Sequence, residues 1–404
     1  MAFSSFAATL LETLTLGISG TIFAQETAKV PLEVVDGRFH RDGRVYRGIG
    51  VNYFDGFRRL LEFPKKREEG IREYQAGLDF LAKQEIPFAR FAACGFYPIE
   101  WKFYQEDPAG YFKMMDGFIS DAEKQGIGLI PCLFWSHFAV PDLCGEPVSA
   151  WGRADSETRK FMRRYTTEVV TRYRGSKAIW AWEFGNEYMQ EADLRFQAKG
   201  DYWALPQLGT PAKRTEADYP TSEDISAAYA EFAETVRPLD PKRPLMTGDA
   251  TLRSGAWHLA RSLGWKSDTD KQWGESLLKA NPADIDTLSV HLYHPRANRQ
   301  GYPGQGPADR SLMEQFKQLS ELAKTSGKPV WLGEFGPGIG EEDVVERRKQ
   351  VAEMLELIEK HQISLSAYWV YDSINTDLSV WNAKSNNDNT FVFDKIREAN
   401  HRMR

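Results

Sequence analysis

The chain runs to 404 residues, 42% apolar and 13% aromatic, with a net charge of -6. That length and apolar share support a sizeable core in one large domain or two ordinary ones. An acidic balance without a run of Lys and Arg excludes a nucleic-acid partner of the usual basic kind. Three cysteines, Cys94, Cys132 and Cys144, match no zinc spacing and allow at most one disulfide, with a Cys94 to Cys144 pair left open.

In chain order, residues 1–24 form an apolar, small-residue-rich leader in which Ile22-Phe23-Ala24 before Gln25 has the form of a signal-peptidase site. The n-region lacks Lys and Arg and Glu12 interrupts the apolar part, so the match to a signal peptide is imperfect. The expectation is an exported protein, secreted or periplasmic. No later stretch approaches the roughly 20 apolar residues of a transmembrane helix, so no membrane partner is expected.

Asp36-Gly37 and Asp42-Gly43 sit between short alternating runs, which predicts a small hairpin ahead of the main fold. Then a rhythm sets in. Strands are predicted over 46–53, 86–93, 127–135, 178–186, 244–248, 284–293, 330–334 and 364–369, and helices over 68–84, 111–125, 158–174, 222–236, 311–325, 341–361 and 393–401. Eight strands alternating with helices indicate parallel βαβ units and fit a closed (β/α)8 TIM barrel. A doubly wound sheet would show a Gly-rich phosphate turn after the first strand, whereas Gly48-Ile49-Gly50 lies inside that strand. With no repeat or linker, residues 30–404 read as one domain, and the long segments 188–221, 250–282 and 294–310 all follow strands, where a barrel keeps its working loops.

The C-terminal strand ends carry Asn52, Arg90, His137, Asn186 with Glu187, Asp249, His291 with Tyr293, Glu334 and Trp369. A barrel brings these onto one face. Alternation puts Ser289, His291 and Tyr293 on one side of their strand and Val330, Leu332 and Glu334 on one side of theirs. In the fourth strand Glu183 and Glu187 share a side but Asn186 does not, so a bulge is expected there to turn both Asn186 and Glu187 to the site. Arg90 lies among Phe88, Ala89 and Phe91 and needs a carboxylate partner; Glu334 is the candidate, and the pair would hold Glu334 ionised. Tyr53, Trp101, Trp135, Trp151, Trp203, Trp257, Trp265 and Trp273 are either platforms for flat ligands or loop anchors.

Two carboxylates across an aromatic cleft suggest glycoside hydrolysis. Trp182-Glu183-Phe184-Gly185-Asn186-Glu187 resembles the fourth-strand signature of clan A glycoside hydrolases, and Trp331-Leu332-Gly333-Glu334-Phe335-Gly336 resembles their seventh-strand motif. With Arg90, His291, Tyr293 and Trp369 in order on their strands, the pattern is most similar to glycoside hydrolase family 5, the cellulase and mannanase family. The resemblance implies a retaining mechanism on a β-linked polysaccharide or oligosaccharide, most simply β-1,4-mannan or β-1,4-glucan, and the number of aromatic candidates favours an open cleft with endo action. Glu334 would be the nucleophile and Glu187 the acid and base. Asn186 would donate to the sugar 2-hydroxyl, His291 and Tyr293 would orient Glu334, Trp369 would floor the attacked sugar, and His137 would make a polar sugar contact. No cofactor or metal is implied. Two rivals remain at this level: a metal-dependent barrel hydrolase using His137, His291, His294 and Asp249, and a barrel that binds glycans without cutting them.

Overall fold

The computed structural model describes residues 30–194, 203–295, 310–338 and 340–404. The leader and most of the predicted 294–310 loop lie outside them.

Both Asp-Gly pairs turn the chain as their φ angles require. Asp36, Gly37, Asp42 and Gly43 all have positive φ, the geometry of primed turns whose twist matches that of the strands they join. They link β1 (Glu33–Val35), β2 (Arg38–Arg41) and β3 (Arg44–Val45) into an antiparallel sheet, so the expected hairpin carries a third strand.

The barrel strands are β4 (Gly48–Asn52), β5 (Phe88–Ala92), β6 (Gly128–Phe134), β7 (Trp182–Gly185), β8 (Leu245–Met246), β9 (Leu288–Tyr293), β10 (Val330–Gly336) and β11 (Leu365–Tyr368). They pair in parallel in the order β8-β7-β6-β5-β4-β11-β10-β9. The remaining seam closes at Asp286: its backbone N–H donates to the Leu245 carbonyl at 3.1 Å, and its carboxylate accepts from the Leu245 N–H at 2.7 Å.

Each strand is followed by a helix: Arg67–Lys83, Pro108–Gln125, Glu157–Tyr173, Ser222–Val236, Asp270–Ala280, Leu312–Ser326, Val344–Lys360 and Phe391–Met403. Ser156, Thr221, Thr269 and Ser311 cap four of them by accepting from the backbone N–H three residues on, which satisfies an otherwise orphaned donor. Asp270–Ala280 falls inside the predicted 250–282 loop. Its signals were local: a reciprocal Thr269/Gln272 capping box and a buried Trp273, Leu277 and Ala280 stripe.

The core has two parts. One lies between strands and helices; the other fills the barrel with Phe88, Ile130, Trp180, Ala181, Met246, Trp331, Leu365 and Ala367, and Leu32 and Phe39 of the N-terminal sheet join it. The small sheet therefore plugs one mouth of the barrel. The opposite mouth carries the polar strand ends.

Two strand ends depart from the expected pleat. In β10, Leu332 pairs with Val290 but Glu334 pairs with His291, so Gly333 is an extra residue. Trp331 faces the barrel interior, and Leu332 packs in the outer core. The expectation that Leu332 and Glu334 share a side is therefore incorrect: the bulge reverses the alternation and delivers Glu334 inward. In β7 the expected bulge is replaced by a turn. The strand stops at Gly185, and Glu187 takes a left-handed conformation, φ 56° and ψ 29°.

Candidate active site

Arg90 organises the polar mouth. It is fully buried, and an unpaired guanidinium there would cost several kcal/mol. Its Nε donates to Glu183 at 2.6 Å, one terminal nitrogen to Asn52 at 3.1 Å and Glu334 at 2.9 Å, and the other to Asn186 at 2.8 Å. The ring of Trp135 lies beneath it, 4.3 Å away. Glu183 divides its two oxygens between Arg90 and the Trp331 indole N–H, the latter at 2.7 Å. Asn52 spans to the bulge by donating to the Gly333 carbonyl at 2.8 Å. One arginine thus ties β4, β5, β7 and β10 together.

That network fixes Asn186 as well. Arginine only donates, so the Asn186 amide oxygen must face Arg90, which leaves its NH2 as a donor toward the cleft. Glu334 accepts from Arg90 on one oxygen and from Tyr293 Oη at 2.5 Å on the other. His291 departs from its expected partner: its Nδ1 is 2.8 Å from Glu187 and 3.6 Å from Glu334. A carboxylate oxygen of Glu187, a ring nitrogen of His291 and a carboxylate oxygen of Glu334 all lie within 4.8 Å of one another. Gly333 makes room for this meeting, since a Cβ there would stand 2.8 Å from His291 Nε2.

Burial governs protonation. The Glu187 carboxyl is pushed up to about 6 by loss of solvent, with Arg90 opposing. Glu334 is also raised by burial, and by Glu187, against the pull of His291, Arg90 and Tyr293. Arg90 does pair with Glu334, and it pulls the carboxyl down, but the largest effect on Glu334 is desolvation, which raises it. His291 is depressed to about 4 by burial and stays neutral near pH 7, and burial keeps Tyr293 a protonated donor.

Aromatics flank the polar mouth. Trp369 is half-buried and stacks on Trp135 at 6.0 Å with Phe54 beside it. Phe138 stacks on Trp203 at 5.0 Å, with Phe96 against both. His137 lies half-buried beside Tyr188. Of the other aromatic candidates, Tyr53, Trp101, Trp151 and Trp273 are buried in the core, so packing is their role. Trp257 is covered by Arg261 at 3.8 Å, and Trp265 stands out in solvent, 54% exposed.

Sequence reasoning missed Trp381, which donates to the Pro337 carbonyl and packs against Tyr293. It follows the last strand on a loop without a recognisable pattern. Glu183 was seen only as a marker of strand parity, although its burial in an apolar strand demanded a cation. The four residues weighed for a metal site do not converge: His294 pairs with Glu353, Asp249 with Tyr229, and His137 sits in the aromatic wall. All three cysteines are free.

A barrel with a buried arginine network and two facing carboxylates at one mouth has the groups that two-carboxylate glycoside hydrolysis calls for. The chain matches the family described as cellulase, glycosyl hydrolase family 5, over residues 73–374. It belongs to that glycosyl hydrolase family. Endoglucanase 1 of Ruminococcus albus is 29% identical over 199 residues, which cover 46% of this chain and 43% of that protein. The chain thus spans less than half the length of that relative. Among solved structures, the endo-1,4-beta-mannanase from Rhizomucor miehei superposes with a TM-score of 0.64 at 15% identity, covering 92% of this chain and 99% of that one. The endo-beta-1,4-mannanase from Thermotoga petrophila gives 0.57 at 17% identity over 88% and 76%. The endoglucanase catalytic domain from Thermobifida fusca gives 0.52 at 14% over 91% and 97%. At these identities the structural likeness speaks for the barrel.

Proposed function

We propose that the protein is a retaining, endo-acting hydrolase of β-1,4-linked mannan or glucan, exported by its leader. The observation that carries the retaining mechanism is the approach of the Glu187 and Glu334 carboxylates, whose oxygens come within 4.8 Å. Retaining glycosidases hold the pair roughly 5 to 5.5 Å apart, while inverting ones leave about 6.5 to 9.5 Å for an intervening water.

In this reading ionised Glu334 attacks the anomeric carbon and forms a glycosyl-enzyme while Glu187 gives its proton to the departing oxygen. Glu187, now a carboxylate, then takes a proton from the water that breaks the glycosyl ester and restores Glu334. The raised Glu187 supports its role as acid, and the donors on Glu334 from Arg90 and Tyr293 support its role as nucleophile. The Asn186 NH2 donates to the sugar 2-hydroxyl, His137 offers a polar contact, and Trp369 floors the attacked sugar. The substrate class rests on the family and on the mannanase and endoglucanase names of its relatives.

Azide distinguishes the roles. With an activated aryl glycoside, Glu187→Ala is expected to keep its first step and yield a β-glycosyl azide, while Glu334→Ala is expected to lose turnover and yield the α-azide. Full activity in either variant would overturn the assignment.

A further inference from the structure

Glu187 owes its position to a left-handed turn, and a non-glycine residue in that region carries a conformational cost that surroundings must offset. What offsets it lies across the β7–β8 seam. The pairing of these strands does not end where the strands do. The Gly185 N–H donates to the Thr247 carbonyl at 3.1 Å, and the Glu187 N–H donates to the Gly248 carbonyl at 3.0 Å. At the next step no carbonyl is used; the Met189 N–H instead donates to the Asp249 carboxylate at 2.9 Å. The other oxygen of Asp249 accepts from Tyr229 Oη at 2.6 Å. A side chain has taken the place of a backbone acceptor two residues beyond Glu187.

We propose that Asp249 is the positioning residue for the proton donor: it locks the turn at Glu187 by holding the N–H of Met189, with Tyr229 fixing the carboxylate. This rests on Glu187 being the acid and base. Asp249 is fully buried and sends both oxygens to these two donors, so it is not a group in contact with sugar. Gly248 makes the approach possible. It has φ 76°, and a Cβ there would meet the Gly185 carbonyl oxygen at 2.0 Å. Burial pushes the Asp249 carboxyl up to about 7, yet the clamp needs no charge, because a protonated carboxyl can donate to Tyr229 through one oxygen and accept from Met189 through the other. An asparagine has the same two capacities.

A displaced acid hurts departure of a poor leaving group and spares a good one. The test compares kcat/KM, which reports the first step, on a β-1,4-glycan oligosaccharide and on a 2,4-dinitrophenyl glycoside, for Asp249→Ala, Asp249→Asn, Tyr229→Phe and Glu187→Ala. Asp249→Ala is expected to lose about 10- to 100-fold on the oligosaccharide, the scale of a misplacement near 1 Å, and less than about threefold on the activated glycoside. Asp249→Asn should restore the wild-type ratio. Tyr229→Phe should show a smaller loss in the same order, and it decides the matter should Asp249→Ala not fold. Selective loss in Glu187→Ala with equal loss on both substrates, or no loss, in the Asp249 and Tyr229 variants overturns the proposal alone. Absence of selectivity in Glu187→Ala overturns the role of Glu187 and the proposal with it.

Discussion

Arg90 shows how one buried charge sets a site. Its guanidinium serves Glu183, Glu334, Asn52 and Asn186 at once, a fork that the single ammonium of a lysine cannot reproduce. Arg90→Ala leaves Glu183 and Glu334 as buried carboxylates without their cation, and a loss of about 3–5 kcal/mol in unfolding free energy is expected by denaturant titration. Glu187 carries the opposite sign. Its carboxyl is raised to about 6 in the fold, so the native state binds more protons than the unfolded chain between about 4.5 and 6, and stability from this group falls as pH rises through that window. Glu187→Gln is therefore expected to melt higher than the wild type at pH 8, with the gap closing near pH 4; a gap independent of pH would refute this. The same raised carboxyl predicts that kcat/KM on an oligosaccharide falls above about pH 6, as the acid loses its proton. These residues were legible before the structure because burial of a charge among apolar neighbours is a question with few answers. The answers' geometry was not, and His291 turned to Glu187 where Glu334 was expected.

The elements were legible through periodicity, and their irregularities were not. Eight strands and seven helices follow from alternation and helical spacing, whereas the helix Asp270–Ala280 was hidden in a long segment whose signals span only 11 residues. Both site strands end irregularly, and strict period-two counting fails at each. The β10 bulge at Gly333 and the left-handed turn at Glu187 arise from contacts across strands, between Gly333 and Asn52 and between Glu187 and Gly248, that no local pattern encodes. Gly333 carries a test of this. Gly333→Ala would place a methyl 2.8 Å from His291 Nε2 and 3.2 Å from Trp331 Nε1. Overpacking of this kind costs about 1–3 kcal/mol, and kcat should drop with it because His291 is displaced. A folded Gly333→Ala with unchanged kcat would show that the bulge is not needed to seat His291.

The whole molecule divides its labour between two mouths. One is closed by the N-terminal sheet, which sends Leu32 and Phe39 into the barrel interior; the other holds the polar strand ends. In a barrel of this kind the ends that carry chemistry and those that carry stability are separate, so Phe39→Ala should lower stability by about 3–5 kcal/mol while kcat of the folded fraction stays within twofold. Loss of kcat without loss of stability would contradict that separation. The proposed retaining mechanism fixes the stereochemistry of the product, because carboxylates this close would leave no room for a water between Glu334 and the sugar. Proton NMR of the first product released from a β-1,4-linked oligosaccharide reads it directly. The new reducing end is expected to appear first as the β-anomer and to equilibrate to α only afterwards; initial appearance of the α-anomer would contradict the retaining mechanism.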